Sequence, residues 1–195
     1  MGELIAGYGE ALERQEGLRD SAFLDLPLLL CGFPCVNMTA RHFAILIHSR
    51  SPFVCGGFPL PENVAQFLWV LHPRFSYTEK VERDAFIACC AELDYEAAVK
   101  EITQYVDDCF MDSPATGAKS GESFNSWIAS LVDTLAREYG WAEQAILSLP
   151  MSALFQYVRV IVSRNDSKTP QFNKLTDAAK NRWWESVNAA KPGTN

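Results

Sequence analysis

The chain has 195 residues, 48% of them hydrophobic and 21% charged, a balance that excludes a disordered polymer and supports a packed core. Its formal charge is −7 and its pI is near 5.0, so overall charge argues against wholesale nucleic-acid binding. The most apolar stretch, 22–36, is interrupted by Asp25, Pro27, Gly32 and Pro34, whereas a membrane span needs about 20 apolar residues.

The chain opens Met-Gly-Glu-Leu-Ile, and its first basic residue is Arg14, so no secretory signal and a cytoplasmic location are expected. Six cysteines are present, Cys89 and Cys90 side by side; they read as reduced, small apolar residues rather than a disulfide scaffold. Charge is uneven along the chain. Residues 1–155 carry −11 and residues 156–195 carry +4, an acidic body with a mildly basic C-terminal segment.

Taken in order, residues 3–19 predict a helix, with Leu4, Ile5, Tyr8, Ala11, Leu12 and Leu18 on one face. The apolar runs around Gly32-Phe33 predict a small β-hairpin near residues 28–37, Gly32 supplying the positive φ and Pro34 at an edge or in the turn. Thr39 is placed to cap a helix from Ala40 to about Ser49, expected to be well buried and ended by Ser51-Pro52. A Gly/Pro-rich loop follows over 52–61. Pro61 then opens a helix in which Val64, Phe67, Leu68 and Leu71 keep helical spacing, stopped by Pro73. Thr78 is read as the cap of a helix over 79–92, and Asp94 as the cap of another over 95–111, with Val99, Ile102, Val106 and Phe110 as its stripe. Residues 112–122 are the best linker candidate, either a sub-domain boundary or a mobile loop within one domain covering 1–195. Ser123 is read as the cap of a helix reaching Tyr139 and Gly140 as its stop; helices over 142–148, 151–163 and 175–189 complete a mainly α chain.

Three constellations are candidates for chemistry. Cys31, Cys35, His42, His48 and Cys55 form the densest group of soft ligands. His42 and His48, however, are six apart and fall on different faces of a helix, which favours structural cysteines and surface histidines over a tetrahedral metal site. Neither a protease nor a Cys-x-x-Cys signature surrounds the same cysteines. Asp107, Asp108 and Asp112 offer carboxylates, but Asp108 and Asp112 at helical spacing read as a solvated face. No phosphate-binding loop, Gly-x-Ser-x-Gly or His-Glu-x-x-His sequence occurs, so no enzymatic role, metal or cofactor is expected. Arg182-Trp183-Trp184 is the remaining feature. Adjacent tryptophans on one helix cannot both face a single stripe, so one of Trp183 and Trp184 is a candidate for partner binding; the competing reading packs this helix on the body with its lysines toward the acidic 92–112 segment.

The order of phrases carries a resemblance. Leu28-Leu-Leu-Cys-Gly-Phe-Pro-Cys-Val-Asn-Met-Thr39 precedes an apolar helix. Ser51-Pro-Phe-Val-Cys-Gly-Gly57, Val64-Ala-Gln-Phe-Leu-Trp-Val-Leu-His-Pro73, Tyr139-Gly-Trp141, Ile146-Leu-Ser-Leu-Pro150 and Leu154-Phe-Gln-Tyr157 follow. Together they resemble the tail assembly chaperone-like proteins of long-tailed phages and prophages, over roughly two thirds of the chain. The resemblance implies a non-enzymatic protein of the bacterial host cytoplasm that binds the tape-measure protein and keeps it soluble during tail assembly. It ties no binding residue to a position. Two further readings fit the same sequence: a virion structural or connector protein, and a small nucleic-acid-associated protein using residues 156–195.

Overall fold

The computed structural model describes residues 2–24, 26–113 and 126–165, together with Asn181 and Glu185, and the side chains of these apart from residues 2–8 and 11. Within them the chain is mainly α. Its elements are α1 (Gly2–Ser21), β1 (Leu28–Leu30), β2 (Phe33–Cys35), α2 (Ala40–His48), α3 (Pro52–Cys55), α4 (Pro61–Leu71), α5 (Lys80–Cys90), α6 (Tyr95–Cys109), α7 (Trp127–Tyr139), α8 (Glu143–Ser148) and α9 (Met151–Asn165). Among the described residues no helix is long and apolar enough to cross a membrane.

The core is built around α4. Val64, Ala65, Phe67, Leu68, Trp69, Val70 and Leu71 are all buried, which leaves only the first turn and Gln66 in contact with solvent. α2, α5, α6 and β2 cover it. Phe53 of α3 meets Phe67 at 5.2 Å between ring centroids, and Phe86 of α5 meets Trp69 at 5.5 Å. Leu131 and Leu135 of α7, Ile146 of α8 and Met151, Leu154, Phe155 and Ile161 of α9 extend the same apolar cluster. Each fully buried large side chain of this kind contributes about 1.5–3 kcal/mol.

The hairpin forms with a shifted turn. Leu28 pairs with Cys35, Leu29 with Pro34 and Leu30 with Phe33, so the turn is Cys31-Gly32 rather than Gly32-Phe33. Both turn residues have positive φ, 51° and 80°, the conformation that a right-twisted two-residue hairpin requires. Pro34 falls at the non-hydrogen-bonded pair beside that turn, where its missing N–H costs no ladder bond. This register sends Leu30 and Cys35 into the core and leaves Leu29 67% exposed. The turn is pinned to α6, because the Cys31 N–H donates to a Glu101 carboxylate oxygen at 2.8 Å.

Several helix ends follow the expected chemistry. The Asp94 side chain accepts from the Ala97 N–H at 3.1 Å, and Gly140 closes α7 in the left-handed conformation, φ 68°. Thr39 caps α2 in a box with His42. Others differ. α5 starts after Glu79, and Thr78 instead shares a 3.1 Å contact with the Ser76 hydroxyl. α7 starts after Ser126, so the expected cap at Ser123 is not at its first turn; Ser123 itself lies outside the described residues. α2 buries only Ala40, Phe43 and Leu46 and leaves Ile47 exposed. The segment expected as loop after Ser51 holds the single turn α3, opened by Pro52. Of the linker candidate at 112–122, only Asp112 and Ser113 are described, and the helix expected over 175–189 lies outside the described residues apart from Asn181 and Glu185.

α2 ends in a paired cap. The Ser51 N–H donates to Leu46 at 2.8 Å and the Arg50 N–H to Ile47 at 2.9 Å, with Arg50 at φ 54°. This is a position for glycine occupied by arginine. Arg50→Gly should therefore raise stability by about 0.5–1 kcal/mol, while Gly140→Ala lowers it by about 1 kcal/mol, both read by urea unfolding.

Candidate partner-binding surface

The feature with the shape of a binding surface lies where α1 gives way to the hairpin. Two backbone bonds, Phe23 N–H to Asp20 at 3.2 Å and Leu24 N–H to Ser21 at 3.0 Å, turn the chain off the end of α1. The turn leaves Phe23, Leu24 and Leu26 each 53% exposed. Phe23 sets its ring edge against Tyr157 of α9, at 5.7 Å between centroids. On one side of this segment is a cleft of about 360 Å³, between Phe23-Leu24 and the α8–α9 junction at Leu149-Pro150, with Val36 and Thr39 beneath. On the other side is a cleft of about 280 Å³, between Leu18, Leu26 and Pro27 and the Tyr105 and Cys109 side of α6. Ala22 and Asn37 line both.

The floor between the clefts is held rigidly. The Met38 N–H donates to the Tyr105 hydroxyl at 2.7 Å, and the Met151 N–H donates to the Met38 carbonyl at 2.8 Å. Thr39 and Pro150 form an isolated antiparallel bridge. Burial pushes the Tyr105 phenol well above its ordinary value, so it stays protonated and anchors this floor. The result is a pre-formed, mostly apolar concavity flanked by exposed leucines, the kind of surface that receives an apolar segment of a partner.

The soft-ligand group does not assemble as a site. Cys35 is buried, Cys31 half-buried and Cys55 exposed. Instead of surface placement, His42 is half-buried in the α2 cap: its own N–H donates to the Thr39 hydroxyl at 3.3 Å, and its Nδ1 lies 3.3 Å from the Thr39 N–H. Burial lowers its pKa, a contact with the Asn37 backbone opposes that, and Arg41 adds to the drop. His48 sits exposed at the other end of α2. Among the described residues no three His, Cys, Asp or Glu side chains converge as ligands. Cys31 does have thiol neighbours, Cys35 of its own group and Cys90 of α5, and spacing along the chain does not reveal the second. Burial, the Glu101 carboxylate and those neighbours push Cys31 up to about 12; burial and Cys90 push Cys35 up to about 11. Burial and adjacent Cys89 push Cys90 up to about 11, and burial pushes Cys109 up to about 12.

The acidic face is only partly solvated. Asp107 is exposed, as expected, but Asp112 is 3% exposed and Asp108 half-buried. Asp112 binds Arg19 of α1 through both guanidinium Nε (3.0 Å) and Nη2 (2.9 Å) and also binds Arg159 of α9. Asp108 binds Arg14 at 2.7 Å and 2.8 Å. These carboxylates are structural ties between elements far apart in sequence. Burial lowers the Arg159 pKa, Asp112 opposes the drop and Arg19 adds to it. Trp183 and Trp184, the partner-binding candidates from the sequence, lie outside the described residues. Sequence reasoning passed over Leu24 and Leu26; their signal is an apolar Phe-Leu-Asp-Leu-Pro run directly after a helix.

Elevated thiol pKa values make a concrete expectation. At about pH 8, native alkylation should label the exposed Cys55 and Cys89 first and spare Cys31, Cys35, Cys90 and Cys109, as read by peptide mass spectrometry. The unfolded chain sheds these thiol protons above about pH 9 while the native one retains them, so this contribution to stability is present below that pH and is lost as pH rises toward 11–12. No family model matches the chain, and no curated protein or solved structure matches it.

Proposed function

We propose that this protein is a tail assembly chaperone-like protein of phages or prophages, which binds an apolar, helix-forming stretch of the tape-measure protein and keeps it soluble until the tail is built. The observation that carries the reading is the pair of adjoining clefts, about 360 and 280 Å³, with Leu24 and Leu26 exposed between them on a chain of net charge −7. An unassembled helical partner exposes apolar stripes, and such stripes are covered by laying them into a concave apolar surface. An acidic exterior keeps the loaded complex dispersed. The contacts available are modest and spread out, which suits a partner that must later be handed over. The nucleic-acid reading is weakened by Arg159, one of the basic residues of the C-terminal segment, because it is committed to Asp112 inside the protein.

Co-expression with the tape-measure protein of the same genetic element tests the proposal. The expected result is soluble tape-measure protein only when this chain is present, recovered as a complex. The double variant Leu24→Asp, Leu26→Asp should keep its melting temperature within about 2 °C, since neither side chain is in the core, and lose co-purification by roughly tenfold or more. No gain in solubility and no complex would move the weight to a structural component of the particle. Unchanged binding by the double variant would place the interface elsewhere.

A further inference from the structure

Most of the described chain is fastened by apolar packing, whereas the described part of α1 is fastened by charge. None of its described side chains joins the apolar core; Leu12 is exposed and Leu18 only half-buried. Arg14 reaches Asp108 at 2.7 Å and Arg19 reaches Asp112 at 2.9 Å, both near the C-terminal end of α6. The Gln156 side-chain amide donates to the Arg19 carbonyl at 2.9 Å, and Gln15 is buried and engaged.

Both aspartates also hold a partner on the body itself. Asp108 accepts from the Gln104 side chain at 3.0 Å, and Asp112 keeps Arg159 of α9. Removing α1 therefore leaves neither carboxylate bare, which avoids the large cost of an unpaired buried charge. The helix also contributes Leu18 and Ser21 to a wall of the smaller cleft. Gly2, Gly7, Gly9 and Gly17 give it poor intrinsic helicity, so it would not persist as a helix away from the body.

We propose that the stretch of α1 from Leu12 to Ser21 is a releasable arm, clasped to the body by the Arg14–Asp108 and Arg19–Asp112 pairs and hinged at Ala22–Leu24, whose release opens the smaller cleft. Release of the arm does not depend on which partner the clefts receive. Of the two pairs, Arg14–Asp108 is the more exposed and is the one that salt weakens, by shortening the reach of charge to about 3 Å at 1 M; the Arg19–Asp112 pair, with its carboxylate buried, is screened less, and apolar packing does not weaken.

The test is hydrogen exchange by mass spectrometry on the full chain, with peptides from α1 and from α4 compared at about 0.05 M and about 1 M KCl. Exchange over residues 12–21 of α1 should accelerate about two- to fivefold at high salt while α4 stays unchanged. Arg14→Gln at low salt should reproduce a part of that acceleration, again confined to α1. Exchange in α1 that ignores salt, whether fast or slow, would overturn the proposal. So would acceleration of α4 together with α1 in Arg14→Gln, because α1 would then belong to the same cooperative unit as the core.

Discussion

The constraint from which the rest of this structure follows is that α4, past its first turn, is buried almost all round. Between Val64 and Leu71 only Gln66 escapes full burial, and a helix of that kind is stable only when surrounded. α2, α5, α6 and the second strand of the hairpin surround it. Each presents its own apolar stripe inward, Phe43 and Leu46 from α2, Phe86 from α5, Ile102 from α6 and Cys35 from β2. The hairpin's register, with its unusual turn at Cys31-Gly32, follows from the same demand. A one-residue slip of either strand would turn its own inward residue, Leu30 or Cys35, outward.

Where this shell ends, the character of the contacts changes. The Val36 N–H still donates to the Leu71 carbonyl at 2.8 Å, tying the hairpin exit to the end of α4. Beyond it, the described part of α1 and the turn at Phe23–Leu24 lie outside the apolar cluster. Charge takes over there, with Asp112 joining α1 and α9 from the end of α6. Apolar packing on one side and ionic ties on the other leave clefts between them, because the described part of α1 is set by the reach of Arg14 and Arg19 and joins none of the apolar cluster. The exposed Leu24 and Leu26 sit at this seam. The same seam is thus both the candidate binding surface and a joint tied by ion pairs.

Much of the helical scaffold was legible in the sequence, because its boundaries are written in local chemistry. Pro61, Asp94 and Gly140 act at their helix ends through backbone geometry or a hydrogen bond to a nearby N–H, and need no tertiary information. Local reading failed where distant residues decide. Asp108 and Asp112 look solvated on an isolated helix; Arg14 and Arg19, more than ninety residues away, withdraw them from water. The α3 turn was hidden by a Gly/Pro-rich composition, although Pro52 is well suited to a first helical turn. The thiol neighbourhood of Cys31, Cys35 and Cys90 joins a hairpin to a helix, and the clefts join four separate stretches of chain. Neither leaves a periodic trace. The Phe-Leu-Asp-Leu run carried a signal of the surface, but only its exposure in the fold gives that signal meaning.

The most direct measurement of the central claim is a footprint of the proposed complex with the tape-measure protein, by hydrogen exchange and lysine–carboxylate cross-linking. Protection should concentrate on residues 22–24 and 148–153, on the two sides of the larger cleft, with cross-links falling on Asp20, exposed at the end of α1 next to it. Protection confined to α5 or α7, with residues 22–24 exchanging as in the free protein, would contradict it.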